Sequence, residues 1–173
     1  DTVERLEFLM SRLSITQSER KVIECAREKS RQNDDCGAVA LELQDGRIVT
    51  GKNTQRMSAS AACVFNAVKM LAGIKDSQKL ISPYVIGPII DMKTKILKEH
   101  DKTLTLEEAL LALSICAASD ATAATAMEQL TQLDGCDAHS THMLFKADEN
   151  PFRKLGVRLS SDPEFLGDTL FNE

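Results

Sequence analysis

The dipeptide Asp45-Gly46 restricts the possible folds of this chain more than any other feature, because it predicts a tight turn between two strands. On either side of it, residues 38–44 and 47–51 alternate apolar with smaller or polar side chains. Both central residues of a type I′ turn need positive φ, which Asp and Gly adopt more readily than most pairs. A β-hairpin of 38–44 and 47–51 is therefore the strand pairing on which the other elements are expected to pack.

Helical spacing of apolar residues covers most of the remaining sequence. Residues 6–13 and 22–26 predict two amphipathic helices at the start of the chain, and each later helix is predicted from a capping residue. The later helices are predicted at 59–72 after Ser58, at 83–97 after Ser82, at 106–118 after Thr105, at 121–133 after Asp120, and from Asp148 to 155.

The fold class predicted from these elements is α+β. A helical majority of αα-hairpins packs on a small sheet built from the β-hairpin plus one or two later strands, at 138–145 and 157–159. Eight alanines between residues 109 and 126 would allow two helices to approach closely.

Three regions are expected along the chain. Residues 1–32 form a helical pair that connects to upstream domains, 37–161 form the α+β domain, and 162–173 form an irregular tail. The sequence has no initiator Met and opens inside a helical pattern, so upstream domains of the same protein are expected partners.

Charge and composition exclude several classes of partner. Lys and Arg number 21 against 26 Asp and Glu, a net charge of −5, which gives no general attraction to nucleic acid or to anionic lipid. No apolar run approaches the ~20 residues of a membrane span. The five cysteines form an odd set without a C-x-x-C pair, which predicts reduced thiols and a cytoplasmic protein.

Three motif matches are rejected because the neighbouring residues do not fit the motif. Residues 46–52 match G-x-x-x-x-G-K, but the intervening residues are strand-like and Asn53 replaces the final Ser or Thr, so we interpret the stretch as hairpin. Cys63 lies on a helix after the hairpin, as in zinc deaminases, yet it has no neighbouring Glu and no later Cys pair. Cys136, His139 and His142 alone lie close enough in sequence to resemble metal ligands, and no metal site is predicted.

The loop 50–56 is a candidate anion site because it carries cations and amides into a helix start. Free N–H groups and the positive end of the helix dipole act together there. The candidate anion-binding residues are Lys52, Asn53, Arg56 and Ser58. The alternative is a solvated loop with a capping serine.

Residues 136–142 hold the densest group of reactive side chains, and the candidate catalytic residues are His139, Ser140 and Thr141. On a strand, His139 and Thr141 share one face while Ser140 and His142 share the other. His139 would therefore act as acid, base or hydrogen-bond donor with a partner from elsewhere. The alternative is a set of polar residues on an edge strand.

Six collinear segments resemble the C-terminal region of the bacterial domain-of-unknown-function family 1846. These segments are 45–52, 71–74, 80–83, 111–123, 135–141 and 152–157. The resemblance implies a longer protein whose upstream part has a Gly-Ser-Gly-Lys stretch like a phosphate loop, with this chain as a companion domain or assembly module. The family's shared Thr-Gly-Lys and Ala-His-Ser-Thr stretches correspond to 50–52 and 138–141. Residues 160–163 are Ser-Ser-Asp-Pro where members usually show Thr-Cys-Glu-Pro, so no role of that Cys or Glu is carried over.

Two functions from different classes are compatible with these features. The first is a cytoplasmic accessory domain that helps to form a homo-oligomer or a cleft with the upstream domains. The second is an enzyme site for a small anion or a nucleotide phosphate, in which Lys52 and Arg56 hold the substrate and His139 moves protons near Ser140 or Thr141. The second requires the hairpin end and the strand 138–145 to be adjacent, which a small shared sheet would permit. Without a reaction step it reduces to anion binding. Whether the chain is catalytic, and with which cofactor, stays open.

Overall fold

The computed structural model describes residues 2–13 and 20–165, and its architecture confirms the predicted α+β class. The described residues form seven α-helices and four strands. The helices are α1 Thr2–Arg12, α2 Lys21–Arg31, α3 Ala59–Ala72, α4 Pro83–Asp91, α5 Leu106–Ala117, α6 Ala121–Glu128 and α7 Lys146–Lys154. The strands are β1 Ala38–Glu42, β2 Ile48–Lys52, β3 Asp137–Ser140 and β4 Arg158–Ser161.

The sheet has the order β2-β1-β3-β4. β1 pairs antiparallel with β2 and with β3, while β4 adds to β3 in parallel. The predicted hairpin and both predicted later strands are thus present in one sheet. The turn differs from type I′: Leu43 N–H donates to the Arg47 carbonyl at 2.8 Å, which closes a three-residue loop. Gly46 alone in this loop has positive φ, +85°, as a three-residue hairpin loop requires.

Alternation along β1 divides the core into two layers. Ala40 packs with Val22, Ile23 and Ala26, so α2 covers one face of the sheet. Val39 and Leu41 face the other way into a larger core that contains residues of α3, α5, α6 and α7. In contrast, α1 has no buried residue.

Four of the five predicted caps are confirmed. Ser58, Ser82 and Asp120 accept hydrogen bonds from first-turn N–H groups of α3, α4 and α6, and Thr105 forms a capping box with Glu108 at α5. The prediction for Asp148 is wrong, because α7 begins after Phe145 and Asp148 lies in its first turn. The Asp148 carboxylate instead bonds to other helices, as described below.

Three predicted elements have different ends. The strand predicted at 138–145 stops at Ser140 because its partner β1 begins at Ala38, opposite the next residue. The helix predicted at 83–97 ends its α-helical part at Asp91 and continues as a π-helix, Met92–Ile96. The helix predicted at 121–133 likewise finishes as a 3-10 helix, Gln129–Leu133.

The alanine-rich region packs as a tight helical pair. Ala109 and Ala112 of α5 and Ala123 and Ala126 of α6 are fully buried.

All five cysteines are free thiols. None of the helices within 2–13 and 20–165 has the length and apolar character needed to cross a lipid bilayer.

Candidate functional site

The ends of β3 and β4 bring the reactive residues near 140 beside those near 161. His139 lies opposite Ser160 and Ser140 opposite Ser161 in the parallel pairing. Just beyond β4, the Asp162 N–H donates to the Ser140 carbonyl at 2.9 Å. This places the Ser-Ser-Asp-Pro stretch, 160–163, directly beside the Ala-His-Ser-Thr stretch, 138–141.

His139 is enclosed in a polar network against α2 and is only 3% exposed. Its Nδ1 lies 2.9 Å from Ser160 Oγ, and its Nε2 lies 3.3 Å from Asp162 Oδ1 without the alignment of a hydrogen bond. Burial lowers the pKa of His139, which favours the neutral ring. A proton on Nε2 would face the carboxylate, leaving Nδ1 to accept from the Ser160 hydroxyl.

Arg27 holds Asp162 ionised. Its Nε and Nη2 donate to the two carboxylate oxygens at 3.1 and 2.7 Å. This hydrogen bonding is the main reason why the pKa of Asp162 is lowered. Arg20 adds a bond from Nη1 to Ser160 Oγ at 2.8 Å. The network joins α2 to β3 and β4, and His139 lies at its centre.

Ser140 and His142 are in contact just at the end of β3. Ser140 Oγ lies 3.3 Å from His142 Nδ1 and also accepts the His142 N–H at 3.3 Å. Burial lowers the pKa of His142 to about 4, so the ring is neutral near pH 7 and Nδ1 is free to accept the serine hydroxyl. Ser140 is fully buried, whereas His142 borders a cleft. Thr141 accepts the Ala38 N–H at 3.0 Å and extends the strand pairing.

This cleft, which we call the α2 cleft, has a volume of about 510 Å³. It is lined by Arg27, Ser30, Arg31, Asp35, Thr141, His142, Asp162, Glu164 and Phe165. The sequence did not single out Arg27, His142 or Asp162 as site residues. For Asp162 the only signal is its place in 160–163, a segment that differs from what the resemblance implies, and for His142 it is its place among the reactive side chains of 136–142.

The predicted anion loop is largely occupied by the protein's own groups. Lys52 Nζ donates to Asn33 Oδ1, and Asn53 Oδ1 accepts the Ala59 N–H at 2.7 Å. Ser58 accepts from Ala61 N–H and donates its hydroxyl to Asp148 Oδ1 at 2.8 Å. Arg56, in contrast, lines a separate cavity beside α3.

The predicted anion loop and the predicted catalytic residues lie on the same sheet, but they do not form a single site. β1 separates β2 from β3, so the strands that carry Lys52 and His139 lie about 10 Å apart. His139 is enclosed against α2, while Arg56 faces the cavity beside α3, on the other side of the sheet. Within the described residues, no three His, Cys, Asp or Glu side chains converge as metal ligands would.

The low pKa of His142 predicts a loss of stability in acid. A folded-state pKa of about 4 lies below the ordinary 6.5, so this contribution is present above pH 6.5 and is lost as the pH falls toward 4. The expected loss is ~2–3 kcal/mol in the free energy of unfolding. Urea unfolding at a series of pH values measures it.

Comparison with His142→Asn isolates this contribution, because Asn Oδ1 can still accept the Ser140 hydroxyl but does not titrate. The variant should show a flatter decline between pH 6.5 and 4. His139 adds a decline of the same sign in both proteins, and Asp148, whose pKa burial raises, opposes it in both. His100→Asn, at an exposed position, is the control and should leave the slope unchanged. Equal slopes for the parent and His142→Asn would contradict the assignment.

Comparisons with known proteins match nearly the whole chain. Residues 18–171 match the family model described as "Domain of unknown function DUF1846, C-terminal". A UPF0371 protein of Clostridioides difficile (strain 630) is 45% identical over 175 residues, which cover 97% of this chain and 35% of that protein. A UPF0371 protein of Clostridium tetani (strain Massachusetts / E88) is 44% identical, over 99% of this chain and 36% of its own length. The chain therefore spans about a third of the length of these curated relatives.

Proposed function

Because this chain belongs to the DUF1846 family and matches its C-terminal domain, we propose that it is an accessory domain of a larger cytoplasmic protein, in which it forms one wall of an interdomain cleft and part of an assembly surface. The family resemblance carried by the six sequence segments is confirmed by the same match. The observation that supports the cleft is that the Ala-His-Ser-Thr stretch ends at the α2 cleft.

The charges of the α2 cleft favour a polar or basic surface as its complement. Arg27 pairs with Asp162, and Arg31 pairs with Glu28, so neither guanidinium is free for an anion. The lining carries two basic side chains, Arg27 and Arg31, and three acidic ones, Asp35, Asp162 and Glu164. A basic or amide-rich surface from the remainder of the longer protein would satisfy these carboxylates better than a phosphate would.

Hydrogen exchange tests this role of the cleft. In the full-length protein, amides of 31–35 and 142–146 should exchange more slowly than in the 173-residue chain, because a second region covers them. Amides of the hairpin loop 44–46, which does not line the cleft, are the internal control and should exchange equally in both proteins. Equal exchange at 142–146 would contradict the interdomain cleft.

Exposed apolar side chains support the assembly surface. On α1 and just after it, Leu6, Leu9 and Leu13 are 55%, 51% and 66% exposed, and helical spacing places them on one face. Such a face is normally covered in the working state of a protein. We expect size-exclusion chromatography with light scattering to show an oligomer that Leu9→Glu weakens and Ser11→Glu, on the polar face, does not. A monomer at high concentration would contradict the assembly role.

A further inference from the structure

A second cavity, of about 250 Å³, lies between α3, the segment that leads into α4, and the loop 54–57. We call it the α3 cavity. Its α3 wall consists of residues 62, 65, 66 and 69, which helical spacing places on one face. The apolar lining consists of Met57, Ala62, Phe65, Leu80, Ile81 and Ile86. Phe65 is 5% exposed and Leu80 and Ile81 are each 3% exposed, so this floor is fixed in the core.

The rim of the α3 cavity is positively charged. Arg56, Lys69 and Lys79 line it, and no Asp or Glu side chain does, although the chain as a whole carries a net charge of −5. Lys69 donates to the Asp76 carbonyl at 2.9 Å. Within 2–13 and 20–165, the side chains of Arg56 and Lys79 have neither a hydrogen-bond nor an ion-pair partner. Two unpaired cations therefore border a buried apolar floor.

The loop that carries Arg56 is already ordered. Thr54 N–H donates to the Met57 carbonyl at 3.0 Å, and Thr54 Oγ1 accepts the N–H groups of Arg56 and Met57. The Arg56 carbonyl accepts the Leu104 N–H at 2.9 Å. Because the backbone of this wall is fixed before any ligand arrives, binding would require little ordering beyond the guanidinium itself.

We propose that the α3 cavity binds a small organic anion, a carboxylate or a phosphate monoester attached to a compact apolar body. The apolar body would occupy the floor near Phe65, and the anionic group would lie at the rim between Arg56 and Lys79. The cavity volume of about 250 Å³ has room for a compact molecule the size of a benzoate ring with its carboxylate. Apolar lining with a few polar groups at the mouth is the usual composition of a small-molecule site.

Four probes separate the parts of this proposal: benzoate, phenyl phosphate, inorganic phosphate and benzyl alcohol. Titration of the 173-residue chain, followed by NMR of the Leu80, Ile81 and Ile86 methyl groups, reports binding at the cavity itself. Benzoate or phenyl phosphate should shift these methyl signals with saturation. Inorganic phosphate, which lacks the apolar body, and benzyl alcohol, which lacks the charge, should each bind at least about fivefold more weakly.

Variants at exposed positions test the rim without disturbing the core. Arg56→Ala and Lys79→Ala should each lower the affinity for the more tightly bound organic anion about fivefold, because each removes one cation from the rim of the cavity. Lys75→Ala is the matched control, since Lys75 is also exposed but does not line the cavity, and it should leave the affinity unchanged. Ala62→Met, which fills the cavity, should abolish binding while the melting temperature shows that the chain still folds.

Three results would overturn the proposal. Benzyl alcohol binding as tightly as benzoate would remove the role of the cations, and inorganic phosphate binding as tightly as phenyl phosphate would remove the role of the apolar floor. Absence of methyl shifts with both organic anions up to their solubility limit would show that the cavity is not a binding site. Stronger binding of benzoate or of phenyl phosphate identifies which anionic group the site takes.

Discussion

Gly51→Ala is expected to destabilise the protein by about 3 kcal/mol or more, because the added methyl group has no space between β2 and α3. A Cβ at this position would lie 2.2 Å from Cys63 N, 2.6 Å from the Ala59 carbonyl oxygen and 2.7 Å from Cys63 Cα. All three are backbone atoms of α3, so no side-chain rotation can relieve the overlap. The strand and the helix would have to separate, and the core between them would open. Urea unfolding, or the soluble fraction where the variant does not fold, measures the loss.

Gly73→Ala is the informative control for this substitution. Gly73 ends α3 with φ +67°, and a Cβ there would meet no atom within 4 Å. Its replacement should cost about 1 kcal/mol through backbone strain alone. If Gly51→Ala loses no more free energy of unfolding than Gly73→Ala does, then α3 does not approach β2 as closely as it does in the structure.

The role of Gly51 also explains the phosphate-loop match in the sequence. Gly51 has no side chain, which allows α3 to pack directly on β2. The backbone around Gly51 is extended, because it belongs to β2. A phosphate loop needs its N–H groups to converge instead. A Gly-Lys pair can therefore occur either in a phosphate loop or where a helix packs closely on a strand. In the sequence, only the strand-like residues between Gly46 and Gly51 distinguish the two cases.

Local rules predicted the parts of the fold that depend on neighbouring residues. The caps at Ser58, Ser82, Thr105 and Asp120 each depend on a side chain and N–H groups two or three positions away, and all four are confirmed. The end of β3 could not be predicted this way. Residues 141–145 look like strand in sequence, yet β1 begins at Ala38 and offers them no further partner.

The candidate site shows the same division between local and distant information. His139 and Ser140 belong to a dense group of reactive side chains that is visible in the sequence, whereas the Ser140–His142 contact is visible only in the structure. Arg27 and Asp162 could not be found, because they are 135 positions apart and Arg27 looks like an ordinary charge on the polar face of α2. Only the packing of α2 across the sheet brings the two together.

Asp148→Ala is expected to cost about 3 kcal/mol, because one carboxylate oxygen serves two donors from different helices. Asp148 Oδ1 accepts the Ser58 hydroxyl at 2.8 Å and the Leu106 N–H at 2.7 Å, so α7 is tied to the starts of α3 and α5. Asp148→Asn should cost less, since an amide oxygen can accept both bonds. Asp91→Ala, which breaks an exposed ion pair with Lys95, is the control and should change stability by at most ~0.5 kcal/mol.

The pH dependence of the stability lost in Asp148→Ala tests whether burying the charged Asp148 carboxylate costs free energy. Burial raises the pKa of Asp148, so protonation favours the folded state, and the parent loses stability as the pH rises from 3.8 through that raised value. The difference between parent and Asp148→Ala should therefore be larger at low pH and narrow as the pH rises, and a difference that widens instead would contradict the raised pKa. A carboxylate kept at this cost lies at the starts of α3 and α5, and the start of α3 is the place where the sequence predicts an external anion. The start of α3 is thus already satisfied from within the chain. Arg56 of the predicted anion loop borders the α3 cavity instead, together with Lys79.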